Sequence, residues 1–124
     1  MNIGLLIIDH GSRLKAANDM IFQVVEKLKH RRKDLFIEGC HMELAEPSIA
    51  TGFNRCVELG ATFIIAQPFM LSPGRHSTKD IPELVKQAAQ LHPDIKWTVQ
   101  PHFGLHDLIS DIILDNALLN QSSS

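Results

Sequence analysis

The chain has 124 residues and a mass of 13.9 kDa, and area scaling gives roughly 6,700 Å² exposed when folded against about 20,000 Å² unfolded, enough burial for one core and not for two. Hydrophobic residues at 44% and charged residues at 21% exclude a disordered chain. Lys and Arg number 12 against 14 Asp and Glu, a net charge of −2 that sets aside a strongly basic nucleic-acid module, and no apolar run approaches the ~18 residues of a membrane span.

Ile3–Asp9 is a continuous apolar run closing on Asp9-His10-Gly11-Ser12, which predicts a strand buried on both faces. Ala17, Met20, Ile21, Val24, Val25 and Leu28 then recur at helical spacing. That helix ends in Lys27, Lys29, His30, Arg31, Arg32 and Lys33, a solvated cationic cap that complements the negative end of the helix dipole. Phe36 to Met42 predicts a second strand, stopped by Glu46-Pro47, with proline suited to the first turn of the next helix. Ile49, Phe53, Cys56 and Val57 stripe that helix and Gly60 closes it. Ala61–Pro68 is a third strand, and Phe69–His76 a loop carrying Pro73-Gly74. A third helix is expected from near Asp80, where Asp80 and Glu83 have capping-box spacing, with Ile81, Leu84, Val85 and Ala88 facing the core. Pro93 breaks it, Ile95–Val99 makes a fourth strand, and Leu105, Leu108, Ile109, Ile112 and Ile113 stripe a last helix. The reading gives one domain over 1–120 and a frayed polar tail over 121–124. With Met1 directly ahead of the first strand there is no room for a leader, and a soluble cytoplasmic protein is expected. Cys40 and Cys56 read as small buried hydrophobes in a reducing compartment.

Strand and helix alternate four times with short connections. This predicts an α/β domain with a single open four-stranded parallel sheet and helices on both faces, its ligand outside the carboxyl ends of the strands. Five of the 7 histidines (His10, His41, His76, His102, His106) fall in the segments after the strands, while His30 and His92 read as surface residues. His10, Glu43 and His76 come from three of these loops. Imidazole with carboxylate suits Fe²⁺, Co²⁺, Ni²⁺ or Zn²⁺ better than Mg²⁺ or Ca²⁺, and few ligands without thiolate suggest an open site. The same imidazoles could instead serve as bases near neutral pH. Arg13, Arg75 and Lys79 place positive charge on the same loops, matched to carboxylate or phosphate. Gly11 and Gly74 would let backbone approach a ligand, but neither makes a phosphate loop, so nucleotide binding is disfavoured. Phe69, Met70 and Leu71 either pack in the core or line the mouth of a cleft for a flat apolar ligand. Trp97 is the only tryptophan and tyrosine is absent, which leaves no stacking platform for nucleic acid.

Asp9-His10-Gly11-Ser12-Arg13, the segment His41-Met42-Glu43-Leu44-Ala45-Glu46-Pro47-Ser48-Ile49, and Pro68-Phe69-Met70-Leu71-Ser72-Pro73-Gly74-Arg75-His76 with Asp80-Ile81-Pro82 follow the first three strands in order. Together they resemble the short sirohydrochlorin chelatases, class II enzymes that insert Co²⁺ or Fe²⁺ into sirohydrochlorin. The second and third motifs are most similar to plant and cyanobacterial members that make sirohaem with iron. The resemblance implies a chelatase-like fold with flavodoxin-like layering and an ATP-independent lyase that releases two protons. It implies His10 and His76 as the catalytic and metal-binding pair, with Glu43 as a further metal ligand. Ser12, Arg13, Phe69, Leu71, Gly74, Arg75 and Lys79 are then expected around a carboxylate-rich macrocycle. No permanent cofactor is implied, only a divalent metal substrate, Fe²⁺ or Co²⁺ with Ni²⁺ as a third option. A homodimer is implied, because longer relatives hold two such domains, and a plastid stroma is an option if a leader was removed. Many members carry an aromatic residue where this chain has His41, whose role stays open. The rival reading is a non-catalytic metal or tetrapyrrole carrier that uses the same edge and binds without turnover.

Overall fold

In the computed structural model, which describes residues 1–75 and 77–119, strand and helix alternate along the chain. The elements are β1 (Ile3–Asp9), α1 (Lys15–Arg31), β2 (Phe36–His41), α2 (Ile49–Leu59), β3 (Phe63–Pro68), α3 (Ser77–Ala89), β4 (Lys96–Val99) and α4 (Asp107–Leu118). The strands form one parallel sheet in the order β2-β1-β3-β4. β1 is paired on both sides, which is why its sequence is an unbroken apolar run: Leu6, Ile7 and Ile8 are at most 3% exposed.

The two faces are unequal. On one, α2 and α3 bring Phe53, Cys56, Ile81 and Val85 onto Leu6, Ile8, Cys40, Ile64 and Ala66. On the other, α1 covers Ile7 and Ile37 with Ile21 and Val25, whereas Ala17 and Met20 of the expected stripe are exposed. The crossovers through α1 (β1 to β2) and α2 (β2 to β3) lie on opposite faces, so a crevice opens at the carboxyl ends of β1 and its neighbours.

Several boundaries differ from the sequence reading, each for a local reason. Pro47 lies before α2 rather than in its first turn. Ser48 is the N-cap, accepting from the Thr51 N–H at 3.2 Å, while the Pro47 carbonyl accepts from the His41 N–H at 2.8 Å. Gly60 closes α2 in the left-handed region as expected, at φ 115°. α3 starts at Ser77, earlier than the Asp80–Glu83 spacing indicates, because the Thr78 N–H already bonds the Gly74 carbonyl at 3.2 Å. Asp80 then sits inside the first turn, where its charge complements the dipole.

The largest departure is α4. Its apolar stripe was expected to close the sheet, yet none of its residues is buried; Leu108, Ile112, Ile113, Leu114 and Leu118 are each 55–60% exposed, and Leu105 just ahead is fully exposed. The chain's surface is 8412 Å², well above the roughly 6,700 Å² of a closed domain of this mass. The helix leaves the edge strand β4 without returning to the sheet. No helix among the described residues is long and apolar enough to cross a membrane. The expected tail over 121–124 lies outside the described residues.

Candidate active site

Asp9 and His41 are the last partners of the β1–β2 ladder, and the pairing continues beyond the strands. The Met42 N–H donates to the Asp9 carbonyl at 2.9 Å and the Glu43 N–H to the His10 carbonyl at 3.2 Å. Gly11 turns the chain back over this rung at φ +91°. A Cβ there would sit 1.8 Å from the Glu43 carbonyl oxygen and 3.2 Å from the His41 Cβ. Only glycine tolerates that combination of torsion and contact. The result is a preset pair: His10 Nε2 lies 3.0 Å from Glu43 Oε1, with both side chains more than half exposed, at 58% and 52%. An ion pair this exposed contributes at most about 1 kcal/mol to folding. It is open to a third party.

The loop beyond is clasped from α1. The Ser12 N–H donates to Asn18 Oδ1 at 2.9 Å and the Asn18 amide returns a bond to the Ser12 carbonyl at 2.7 Å. The Ser12 hydroxyl accepts from the Leu14 N–H at 3.0 Å, so this expected substrate contact also shapes the turn. Asn18 was not foreseen. Its signal was a polar residue at helical spacing from Ile21 and Val25, on a stripe that should be apolar.

From β3, the Phe69 N–H prolongs the sheet to the Ile8 carbonyl at 2.6 Å. Phe69 packs edge-on against Phe103 at 5.4 Å, while Leu71 is 63% exposed. His10, Leu71, Gly74 and Arg75 line a cavity of about 430 Å³. Arg13, Arg75 and Lys79 are all exposed. His76 lies outside the described residues; its chain neighbours Arg75 and Ser77 line the cavity that His10 lines. A second cavity of about 480 Å³ lies between α3 and the β3–β4 ends, among Met70, Ile81, Trp97, Val99 and His102.

The other histidines part company. His41 is fully buried, its Nδ1 2.6 Å from Asp9 Oδ1 and its ring edge-on to Phe22 at 5.6 Å. His106 caps α4, accepting from the Leu108 N–H at 3.1 Å. His92, expected at the surface, is half-buried: it stacks on Phe53 and bonds Asn54 Oδ1 at 2.5 Å. His30 is exposed.

Among the described residues no three His, Cys, Asp or Glu side chains gather as a closed metal cage. His10 and Glu43 offer one nitrogen and one oxygen, at a separation close to that of adjacent ligands on an octahedral ion with bonds of about 2.1 Å. Thiolates do not compete. Burial pushes the Cys56 thiol up to about 12, with the Glu38 charge adding to it, and burial holds Cys40 well above the usual thiol range. The arrangement can hold a divalent ion loosely, keep its remaining positions open, and present cations around it.

Known proteins resemble this chain in sequence and fold. A sirohydrochlorin ferrochelatase of the chloroplast from Arabidopsis thaliana is 40% identical over 112 residues, 90% of this chain and 50% of that protein. A sirohydrochlorin cobaltochelatase from Methanocaldococcus jannaschii is 29% identical over 137 residues, 91% of this chain and 96% of its own. The crystal structure of the sirohydrochlorin chelatase SirB from Bacillus subtilis subspecies spizizenii in complex with cobalt superposes with a TM-score of 0.81 at 33% identity, covering 90% of this chain and 47% of that one. The chain spans about half the length of the first curated relatives it matches. The CbiX family profile matches residues 4–118, and the chain belongs to the CbiX family.

Proposed function

We propose that the chain is an ATP-independent sirohydrochlorin chelatase that places Fe²⁺, or alternatively Co²⁺, in the macrocycle. The observation that carries this reading is the half-exposed His10–Glu43 pair, 3.0 Å apart on a cation-rimmed edge. The ion enters as M²⁺ and the ring loses two pyrrole N–H protons, so metallated ring and two protons leave and charge balances. His10 and Glu43 would hold the ion, with His76 as the further imidazole, and the imidazole nitrogens freed as the ion passes to the ring would take up the protons. Arg13, Arg75 and Lys79 pair with peripheral carboxylates of the ring. Leu71 and Phe69 give it an apolar floor, and Ser12 and Gly74 bring backbone close. The plant relative named as a ferrochelatase favours iron, and the archaeal one named as a cobaltochelatase keeps cobalt open. The metal is substrate, and no resident cofactor enters the scheme.

A second copy of the chain completes the cleft in this reading. Relatives that are twice as long support it, as does α4, whose bare leucines and isoleucines need an apolar cover. The compartment is the cytoplasm or, in line with the chloroplastic relative, a plastid stroma.

The test is anaerobic incubation of the full chain with sirohydrochlorin and each metal in turn, followed by absorbance. Many metallated rings per chain are expected with Fe²⁺ or Co²⁺ and no ATP. A stoichiometric complex with no metallated product would overturn the reading in favour of a carrier.

A further inference from the structure

We propose that Asp9 and His41 are positioning residues for the metal-holding pair, an inference that rests on the reading of His10 and Glu43 as its ligands. Among the described residues His41 is the largest buried polar side chain, 0% exposed, and lies on the α1 face of the sheet beneath the turn that carries His10. Its ring is tied at one end only. Nδ1 meets Asp9 Oδ1 at 2.6 Å, while Nε2 has no partner among the described residues. Asp9 accepts, so Nδ1 carries the proton of that bond. For packing alone a phenyl ring would serve without leaving a ring nitrogen unpaired. What the imidazole adds is the bond to Asp9.

That bond sits where it governs the site. Asp9 precedes His10, and its carbonyl takes the Met42 N–H; the next rung joins the His10 carbonyl to the Glu43 N–H. The side-chain bond between Asp9 and His41 therefore braces the strand ends on which both ligands ride. Gly11 rests on the root of the same side chain, its missing Cβ 3.2 Å from the His41 Cβ, so the return of the chain over Glu43 has His41 as its floor. Neither Asp9 nor His41 touches the ion in this scheme. They set the distance between two side chains that do.

The experiment titrates the full chain with Co²⁺ alone, read by the metal's visible absorption, and then measures insertion at varied Co²⁺. His41→Phe keeps the ring volume and removes the donor; it is expected to weaken Co²⁺ binding by about tenfold or more. The Co²⁺ needed for half-maximal rate should rise in parallel, with the rate at saturating metal within about twofold of wild type. His41→Asn places an amide N–H where Nδ1 stands and should recover most of the loss, even where its melting temperature is no higher than that of His41→Phe. Should His41→Phe fail to fold, Asp9→Leu gives the same expectation, since it removes the acceptor at similar size. Wild-type Co²⁺ affinity in a folded His41→Phe or Asp9→Leu chain would overturn the inference, as would equal loss in His41→Asn and His41→Phe. Wild-type binding of Co²⁺ with no metallated product removes the proposed reaction instead, and leaves the bracing role to be decided by the binding series.

Discussion

The two halves of the carboxyl edge are built on different terms. After β1 and β2, backbone rungs run on past the strands, Gly11 is wedged against the Glu43 carbonyl, and Asn18 clasps Ser12. After β3 and β4, the tether stops sooner: the Phe103 N–H reaches the Met70 carbonyl at 3.1 Å, Gly104 lies against Leu71, and the segment from Ser72 to Arg75 is then mostly exposed. The proposed chelation needs both. The first half can hold an ion at a set distance, and the second can adjust to a large ring arriving and leaving.

Five substitutions can break or sharpen that contrast. The largest effect is expected in the fixed half: His10→Ala removes a ligand and a proton acceptor together, and should raise the metal requirement and also lower the maximal insertion rate by roughly 10²–10⁴-fold even with metal in excess. His76→Ala should chiefly raise the metal concentration for half-maximal rate. Rescue of His10→Ala but not His76→Ala by excess metal would reverse the two roles. Next comes a pair of glycines. Gly11→Ala brings a Cβ against a backbone carbonyl at a positive φ, and should cost on the order of 2 kcal/mol, read as a drop in melting temperature of several degrees. At Gly74 the nearest atom to a new Cβ is the Ser77 hydroxyl at 2.6 Å, which can turn away. Gly74→Ala should therefore stay within about 0.5 kcal/mol. Equal losses at the two positions would erase the distinction between the halves. The smallest effect is expected from Arg75→Ala, a rise of up to about fivefold in the KM for sirohydrochlorin that shrinks with added salt. A salt-independent KM would mean that Arg75 does not pair with the ring's carboxylates.

The strand and helix order was legible because each buried strand is a short apolar run and each helix an apolar stripe. That His10 and Glu43 share the carboxyl edge was legible because each directly follows a strand. His41 was grouped with them for the same reason, and wrongly placed at the open edge. Periodicity does not reveal that register sets it opposite Asp9, under α1. The start of α3 was displaced by a capping-box spacing that a backbone bond from Thr78 to Gly74 supersedes. α4 misled most: an apolar stripe reports that a helix wants cover, without saying that the cover lies in the same chain.

The seclusion of the two cysteines bears on oxidative damage. Ferrous ion in air generates peroxide, and peroxide attacks thiolate rather than thiol. Cys40 and Cys56 are 0% exposed and held protonated by burial, Cys56 up to about 12. With Fe²⁺ as the substrate proposed above, the chain offers the oxidant of its own cargo little sulfur to consume. Iodoacetamide at neutral pH should label neither cysteine in the folded chain and both after denaturation.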